Sequence, residues 1–280
     1  MYVCNCEMKR VAVYFESWAS KWTSDPNTMD LGLLSLPITI VNLSFVSPGC
    51  SYKKGQNTFQ NTGLNFSQDF KVVKGAIQKL RKKGIKVMLA VGGGSYWSQP
   101  NVYYNAAGCM ALLRDLECDG IDLDWEVGIK YGSELTNAII NTKALLQPGQ
   151  FLSFAGWSTG AFGPINGSGN FQGMNIHAMV NQGKNVDWIN IMAYDAGKSY
   201  DPIGALECYK IYYSGPLLLG FEVGTQGWGD AKLSYNEAAT SISRVSKASK
   251  EYGIFIWAYL KESNGTVSVN QILDLSKKYE

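Results

Sequence analysis

The stretch DGIDLDWE, from Asp119 to Glu126, decides the fold of this chain. Alternate residues of a β-strand point to opposite faces, so Asp122, Asp124 and Glu126 share one face of a strand here. The other face carries the apolar residues between them. If the strand belongs to a parallel series with helices between its strands, both faces are covered by other elements. We then expect the apolar face to pack against helices and the acids to point into a closed barrel.

Seven further short runs of apolar, β-favouring residues recur along the 280-residue chain. With the acidic stretch they predict eight strands, at Arg10–Glu16, Ile38–Val46, Ile85–Gly92, Gly120–Glu126, Phe151–Gly156, Val186–Ala193, Pro216–Glu222 and Gly253–Tyr259. Helix-like segments fall between several of them, at Gln68–Lys83, Tyr131–Leu146, Lys232–Lys250 and Val267–Tyr279. Strands that alternate with helices predict an α/β fold, a single (β/α)8 TIM-type barrel. No linker divides residues 1–280, so we expect one domain.

Three acids in a confined interior cannot all be ionised cheaply, because burial and mutual repulsion raise at least one pKa. A carboxyl group that stays protonated near neutral pH is what general-acid cleavage of a glycosidic bond requires. Glu126 is last on the strand and nearest the C-terminal barrel end, where the sites of such barrels lie. We therefore predict that Glu126 is the proton donor. The alternatives are a buried acid network without chemistry and a divalent-metal site.

The composition favours a neutral substrate. Hydrophobic residues make up 46% and charged residues 17%, with a formal net charge of +2, which is too weak to indicate nucleic acid or an anionic surface. Six cysteines without a CxxC pair, and a single histidine, disfavour a zinc cluster, and they permit disulfides without showing them. We expect no metal, no cofactor and no membrane partner. No apolar run has signal-peptide or transmembrane length, so we expect an intracellular chain or one whose leader has been removed.

The acidic stretch also resembles a known family. Asp119, Asp122, Asp124 and Glu126 match the DxxDxDxE signature of family 18 glycoside hydrolases, the chitinases and their relatives. Four other stretches are similar to the family's strand ends: VAVYFESW with Tyr14, LAVGGGSYW, INIMAYD with Met192, Tyr194 and Asp195, and IFIWAYL with Trp257. The resemblance covers nearly the whole chain.

The resemblance implies a substrate-assisted, retaining mechanism, for which this family is an exception to the usual pair of protein carboxylates. Glu126 would protonate the leaving oxygen, and the carbonyl oxygen of the substrate's own N-acetyl group would be the nucleophile. Asp124 would orient the acetamido N–H and share a proton with Asp122. Tyr194 would donate a hydrogen bond to the acetamido oxygen.

The resemblance also implies the sugar-binding residues. Trp257 would form the floor under the reacting sugar, with Asp195 near the acetamido group. Further candidates for substrate contact are Met192, Tyr14, Glu222 and Trp157. Taken singly, most of these residues could equally be packing residues, and Glu222 could be an ion-paired acid at the rim. We expect Asp119, which is off the face of the other acids, to be structural.

Two departures from the family pattern affect these expectations. Ala90 stands where the family has the serine of its SxGG turn, a serine that supports the acid network, so we expect a shifted pH profile. The short run from Val223 to Ala231 leaves no room for the small α+β domain that larger members insert. We therefore expect a shallow cleft and endo-type cutting.

The expected function is hydrolysis of chitin or chito-oligosaccharides, polymers of β-1,4-linked N-acetylglucosamine, by a monomer. An endo-β-N-acetylglucosaminidase acting on N-glycans shares the motif and stays open as an alternative. A chitinase-like sugar-binding lectin is an alternative of another class, disfavoured because such relatives usually lose the proton-donor glutamate.

Overall fold

The computed structural model describes residues 10–96, 103–126, 132–163, 172–197, 200–225 and 232–278. Within these ranges, parallel strands β1 to β8 pair in chain order and close on themselves, which confirms the predicted (β/α)8 barrel. The strands are β1 Val11–Glu16, β2 Ile40–Val46, β3 Lys86–Gly92, β4 Gly120–Asp124, β5 Phe151–Gly156, β6 Trp188–Ile191, β7 Leu217–Glu222 and β8 Gly253–Trp257. The helices are α1 Asp30–Leu33, α2 Phe70–Lys82, α3 Ala106–Leu116, α4 Gly132–Lys143, α5 Ile176–Gln182, α6 Pro202–Tyr212, α7 Tyr235–Ala248 and α8 Val269–Lys278. None of the described helices is long and apolar enough to cross a membrane.

The core has two layers, as the alternation in β4 predicts. Ile121, Leu123 and Trp125 belong to the apolar layer between the strands and the helices. Asp122 and Asp124 are buried on the opposite face, inside the barrel. The apolar part of that interior consists of Ala12, Tyr14, Ile40, Met88, Ala90, Ala155, Trp188, Met192, Leu218, Phe255 and Ala258.

Strands β4, β6 and β8 each end two residues earlier than predicted, and in β4 and β6 the backbone turns at the C-terminal end. The N–H of Glu126 donates to the carbonyl of Asp124 at 3.0 Å, and the N–H of Ala193 donates to the carbonyl of Ile191 at 2.7 Å. Such bonds between residues two apart are common where strands end. Glu126 and Tyr194 therefore lie just beyond β4 and β6, at the C-terminal mouth of the barrel.

Helix α7 begins at Tyr235, three residues later than predicted. Ser234 caps it: its hydroxyl accepts from the backbone N–H of Glu237, and the Glu237 carboxylate accepts in return from the backbone N–H of Ser234. This reciprocal pair satisfies two donors that a helix start leaves without partners, which fixes the first residue. The connection after β7 thus runs from Val223 to Ser234, and its residues 226–231 lie outside the described part of the chain.

Candidate active site

Asp122 is the most tightly held acid of the barrel interior. Its side chain is fully buried, and Tyr14 donates its hydroxyl to Oδ2 at 2.6 Å. Ser153 and Asn190 both donate to Oδ1, at 2.6 and 3.0 Å. Burial raises the pKa of Asp122 to about 6, although the three donors, which stabilise the ionised form, oppose that rise. Tyr14, predicted as a substrate contact, therefore directly contacts the acid network.

Asp124 has different surroundings from Asp122. It is buried, and its Oδ1 has no hydrogen-bond partner among the described residues. Burial raises the pKa of Asp124 well above its ordinary value, and the negative charges of Glu126 and Asp122 raise it further. A buried carboxyl group with an unpartnered oxygen is more stable with a proton attached, so of these two neighbouring acids Asp124 has the environment that favours the protonated form.

Glu126 lies at the mouth of the barrel, partly exposed and beside the glycine turn that follows β3. A Cβ atom built on Gly94 would lie 3.7 Å from Glu126 Oε1, whereas one on Gly92 would collide with the carbonyl of Asp124. Gly92 also has φ of +112°, a conformation that other residues rarely adopt. Burial and the charge of Asp195 raise the pKa of Glu126 to about 7, so it can hold a transferable proton near neutral pH.

The residues after β6 face Glu126 across the mouth. Burial raises the pKa of the Tyr194 hydroxyl well above its ordinary value, with the charges of Asp124, Glu222, Glu126 and Asp195 adding to the effect. A raised pKa keeps the proton on the Tyr194 hydroxyl, so this group is able to donate a hydrogen bond. Asp195 adopts φ of +53°, in the left-handed region that Asp tolerates better than most residues. Met192 is buried inside the barrel, where it packs with the other apolar residues.

Aromatic rings form one wall of the mouth. Trp257, at the end of β8, stacks on Phe45 with ring centroids 5.4 Å apart, and its edge meets Tyr14 at 5.8 Å. Phe45 in turn packs on Trp18, which is 49% exposed. The prediction did not include Phe45, near the C-terminal end of β2, or Trp18, just after β1, although barrel sites are built at the C-terminal ends of the strands. Trp257 is partly exposed, as a sugar platform must be.

Glu222 ends β7 inside the barrel, as its alternation with Leu218 predicts, and it is buried rather than at the exposed rim. Its Oε1 forms an ion pair with Lys261 Nζ at 2.5 Å. Burial raises the pKa of Glu222 to about 7 against the opposing charge of Lys261, and its carboxyl group also contacts Asp195. Burial also raises the pKa of Glu16, and the charge of Lys261 lowers it. The ammonium group of Lys261 therefore stabilises the ionised forms of two buried acids, Glu16 and Glu222. The prediction missed Lys261, because no motif marks it.

Two predicted residues lie at opposite ends of the barrel. Trp157 follows β5 at the mouth, and its backbone is held by Asn175 and Tyr209, at 2.9 and 2.7 Å. Its ring is partly exposed and packs against the barrel interior. Asp119 lies at the N-terminal end of β4, where it accepts hydrogen bonds from the N–H of Val87 at 2.8 Å and from Arg81 at 2.9 Å. Asp119 is therefore structural, as expected.

No group of three or more His, Cys, Asp or Glu within the described ranges is arranged to hold a metal ion. The acids Asp122, Asp124 and Glu126 instead lie among hydrogen-bond donors, apolar side chains and one another. This arrangement can store one proton deep in the barrel and present another at the mouth.

A closed (β/α)8 barrel with protonatable acids at its C-terminal mouth is typical of a glycoside hydrolase. The model of the glycosyl hydrolases family 18 matches residues 10–279, so the chain belongs to this family and is a glycoside hydrolase.

Solved structures share the fold at low sequence identity. A family 18 chitinase from Pseudoalteromonas aurantia superposes with a TM-score of 0.66 at 19% identity, over 96% of this chain and 99% of that one. A putative chitinase A from Streptomyces coelicolor gives 0.68 at 17%, over 97% and 98% of the two chains. A fungal endo-beta-N-acetylglucosaminidase of the same family gives 0.67 at 16%, over 96% and 97%.

Proposed function

We propose that the chain hydrolyses β-1,4-linked N-acetylglucosamine polymers, chitin or chito-oligosaccharides, with retention and with Glu126 as general acid and base. The observation that carries the proposal is the placement of Glu126 at the mouth with a pKa raised to about 7, directly above the buried pair Asp124 and Asp122. A group with this pKa can give a proton to the leaving oxygen and take one back from water.

The nucleophile in this proposal is the substrate's own acetamido oxygen. Asp124 accepts from the acetamido N–H and stabilises the positive charge that develops on the ring formed with that group, while Tyr194 donates to the acetamido oxygen. Protonated Asp124 passes its proton towards Asp122 as it takes up this role. Burial keeps the Tyr194 hydroxyl protonated, which suits a donor. The proposal involves no metal or organic cofactor.

Trp257 forms the floor of the sugar site in this proposal. Its stacking on Phe45 and its edge contact with Tyr14 hold the ring in place, so that one face can meet the apolar face of a pyranose. Asp195 and Glu222 lie on the side of Tyr194 and bind polar groups of the sugar, and Trp157 and Met192 complete the wall. The chain works as one catalytic domain, since the family match spans residues 10–279.

Release of N-glycans by endo-β-N-acetylglucosaminidase activity is the second candidate, favoured by the similarity to the fungal enzyme of that name. Both substrates present the same N-acetylglucosamine pair at the cut. They differ in what lies beyond it, an unbranched polymer or a branched mannose core.

A comparison of chitohexaose with a high-mannose glycopeptide tests the choice, with products separated by size. We expect chitohexaose to be cut internally into di-, tri- and tetrasaccharides, because the short connection after β7 leaves the cleft open. Cleavage of the glycopeptide alone would move the function to N-glycans, and release of disaccharide alone from chain ends would contradict endo cutting.

A further inference from the structure

The two strands beside β4 offer Asp122 different neighbours. In the barrel register Asp122 is paired with Ala90 of β3 on one side and with Ser153 of β5 on the other. Only Ser153 carries a hydroxyl, and its Oγ donates to Asp122 Oδ1 at 2.6 Å. Ser153 is itself fully buried, so water does not compete for this bond.

Ser153 completes a set of three donors on Asp122, and the described residues provide no such set for Asp124. Tyr14 donates to one oxygen of Asp122, and Asn190 joins Ser153 at the other. Asp124 Oδ1 is buried without a partner among the described residues. Hydrogen bonds to a carboxylate stabilise its ionised form, so a proton shared by these two neighbouring acids is driven off Asp122 and onto Asp124.

We propose that Ser153 is a positioning residue of the reaction: with Tyr14 and Asn190 it holds Asp122 as the ionised member of the acid pair and leaves the proton on Asp124. The inference rests on the proposed function, in which Asp124 begins protonated. Ser153 does not touch the substrate, and it acts through Asp122.

The charged and titratable groups around Asp122 are few among the described residues. Tyr14 faces it from β1 and Asp124 from β4, while Ala90, Ser153 and Asn190 face it from β3, β5 and β6 and do not titrate. The charge of Glu126 acts on Asp124, and the charge of Asp124 acts in turn on Tyr194. Loss of the Ser153 hydroxyl therefore changes the titration of the Asp122–Asp124 pair first.

The position of Ser153 also changes the expectation for Ala90. The hydroxyl that the family places on β3 is absent, but the neighbouring strand on the other side of Asp122 supplies one. Ala90 alone therefore does not imply a weakened acid network. A serine at position 90 would approach the same carboxylate from the opposite side, so it should restore what Ser153→Ala removes.

The pH dependence of kcat/KM on a soluble chito-oligosaccharide tests the proposal. In S153A we expect the acidic limb to move upward by about one pH unit, because the ionised form of Asp122 loses a donor. The basic limb, set by Glu126, should stay in place. The double variant A90S/S153A and the hydroxyl-retaining S153T should return the acidic limb towards that of the wild type.

S44A is the matched control, since Ser44 is buried in β2 and its hydroxyl, among the described residues, bonds to the backbone carbonyl of Asn42 at 3.5 Å and to no acid. Its acidic limb should equal that of the wild type. An unshifted limb in folded S153A would overturn the proposal. So would a shift in S153A that neither A90S nor S153T reduces, since a packing defect would then explain it. If S153A does not fold, S153C replaces it, because a thiol is a weaker donor than a hydroxyl, and an unshifted limb in folded S153C would overturn the proposal.

A carbon-13 NMR titration of the aspartate carboxyl groups separates this inference from the proposed function, because it needs no turnover. S153A should raise the titration midpoint of the Asp122–Asp124 pair relative to wild type and S44A. An unchanged midpoint refutes the role of Ser153 even in an active enzyme. A raised midpoint in a protein that cleaves no N-acetylglucosamine substrate refutes the proposed function, and it leaves standing only the effect of Ser153 on the titration of the Asp122–Asp124 pair.

Discussion

Asp122, Asp124 and Glu126 are separated from one another by single residues in the sequence, yet each has a different environment. Asp122 is fully buried among three donors, Asp124 is buried with an unpartnered oxygen, and Glu126 lies at the partly exposed mouth. Burial is the largest cause of the raised pKa in all three. The donors to Asp122 and the charge of Asp195 near Glu126 come from other parts of the chain, and alternation within β4 carries no information about them.

The ion pair of Lys261 with Glu222 gives a test at the same scale. Lys261 lowers the pKa of Glu222, so K261M should leave Glu222 largely neutral at pH 7, and E222Q is neutral at every pH. If the ionised carboxylate binds a sugar hydroxyl, both variants should raise KM about 10-fold, as expected for loss of a hydrogen bond to a charged group, with a smaller change in kcat. Steady-state kinetics at pH 7 measures this.

The control is K277M, which removes an exposed Lys277–Asp274 pair that should contribute little. Unchanged kcat/KM in E222Q, with a lowered melting temperature in K261M, would assign Glu222 a purely structural role.

At the scale of elements, apolar strand runs separated by helices were enough to predict the barrel and the inward face of β4. The end residues of strands and helices were harder to predict, because they depend on individual hydrogen bonds. The bonds between residues two apart end β4 and β6 early, and a side-chain cap starts α7 late. Helix α3 buries residues spread over much of its surface, and α6 carries apolar residues such as the exposed Ile211 outside its buried face, so the spacing that identifies amphipathic helices is weak in both.

The cap of α7 makes a prediction at this scale. S234A removes the hydroxyl that accepts from the Glu237 N–H, and it should lower the free energy of unfolding by about 1 kcal/mol. Urea denaturation measures the loss. S241A, the same change inside the same helix, should have almost no effect. Equal losses in the two variants would mean that the cap does not stabilise α7.

The site was predictable only where a motif or strand alternation marked it. Asp122, Asp124, Glu126 and Tyr194 meet at one end of the barrel, as the parallel topology requires. Ser153 reaches Asp122 because the register of the barrel places it opposite that acid on β5. Lys261 reaches Glu222 from the loop that folds back after β8. Neither contact has a local sequence signal, so both needed the tertiary structure.

At the scale of the whole molecule, the ionisation of Glu126 affects the stability of the fold as well as the reaction. Glu126 has a pKa of about 7 in the folded chain and an ordinary value of 4.5. A group whose folded pKa is raised contributes stability that is fully present below pH 4.5 and is lost as the pH rises through 7. The barrel therefore becomes less stable over the pH range in which Glu126 ionises.

E126Q removes this dependence, because glutamine does not ionise. We expect E126Q to match the wild type at pH 4.5 and to be more stable at pH 8, by on the order of 1–3 kcal/mol. Thermal unfolding across this range measures the difference. The exposed variant E262Q should show no such trend, and an E126Q advantage that is constant with pH would argue against a raised pKa for Glu126.

The most direct test of the central claim is the anomer of the first product that wild-type enzyme releases from chitohexaose, followed by proton NMR, with E126Q in parallel. The proposed mechanism predicts β-anomeric product from the wild type and an almost complete loss of rate in E126Q with sugar binding retained. An α-anomeric first product, or an E126Q enzyme that keeps its rate, would contradict substrate-assisted cleavage with Glu126 as the acid.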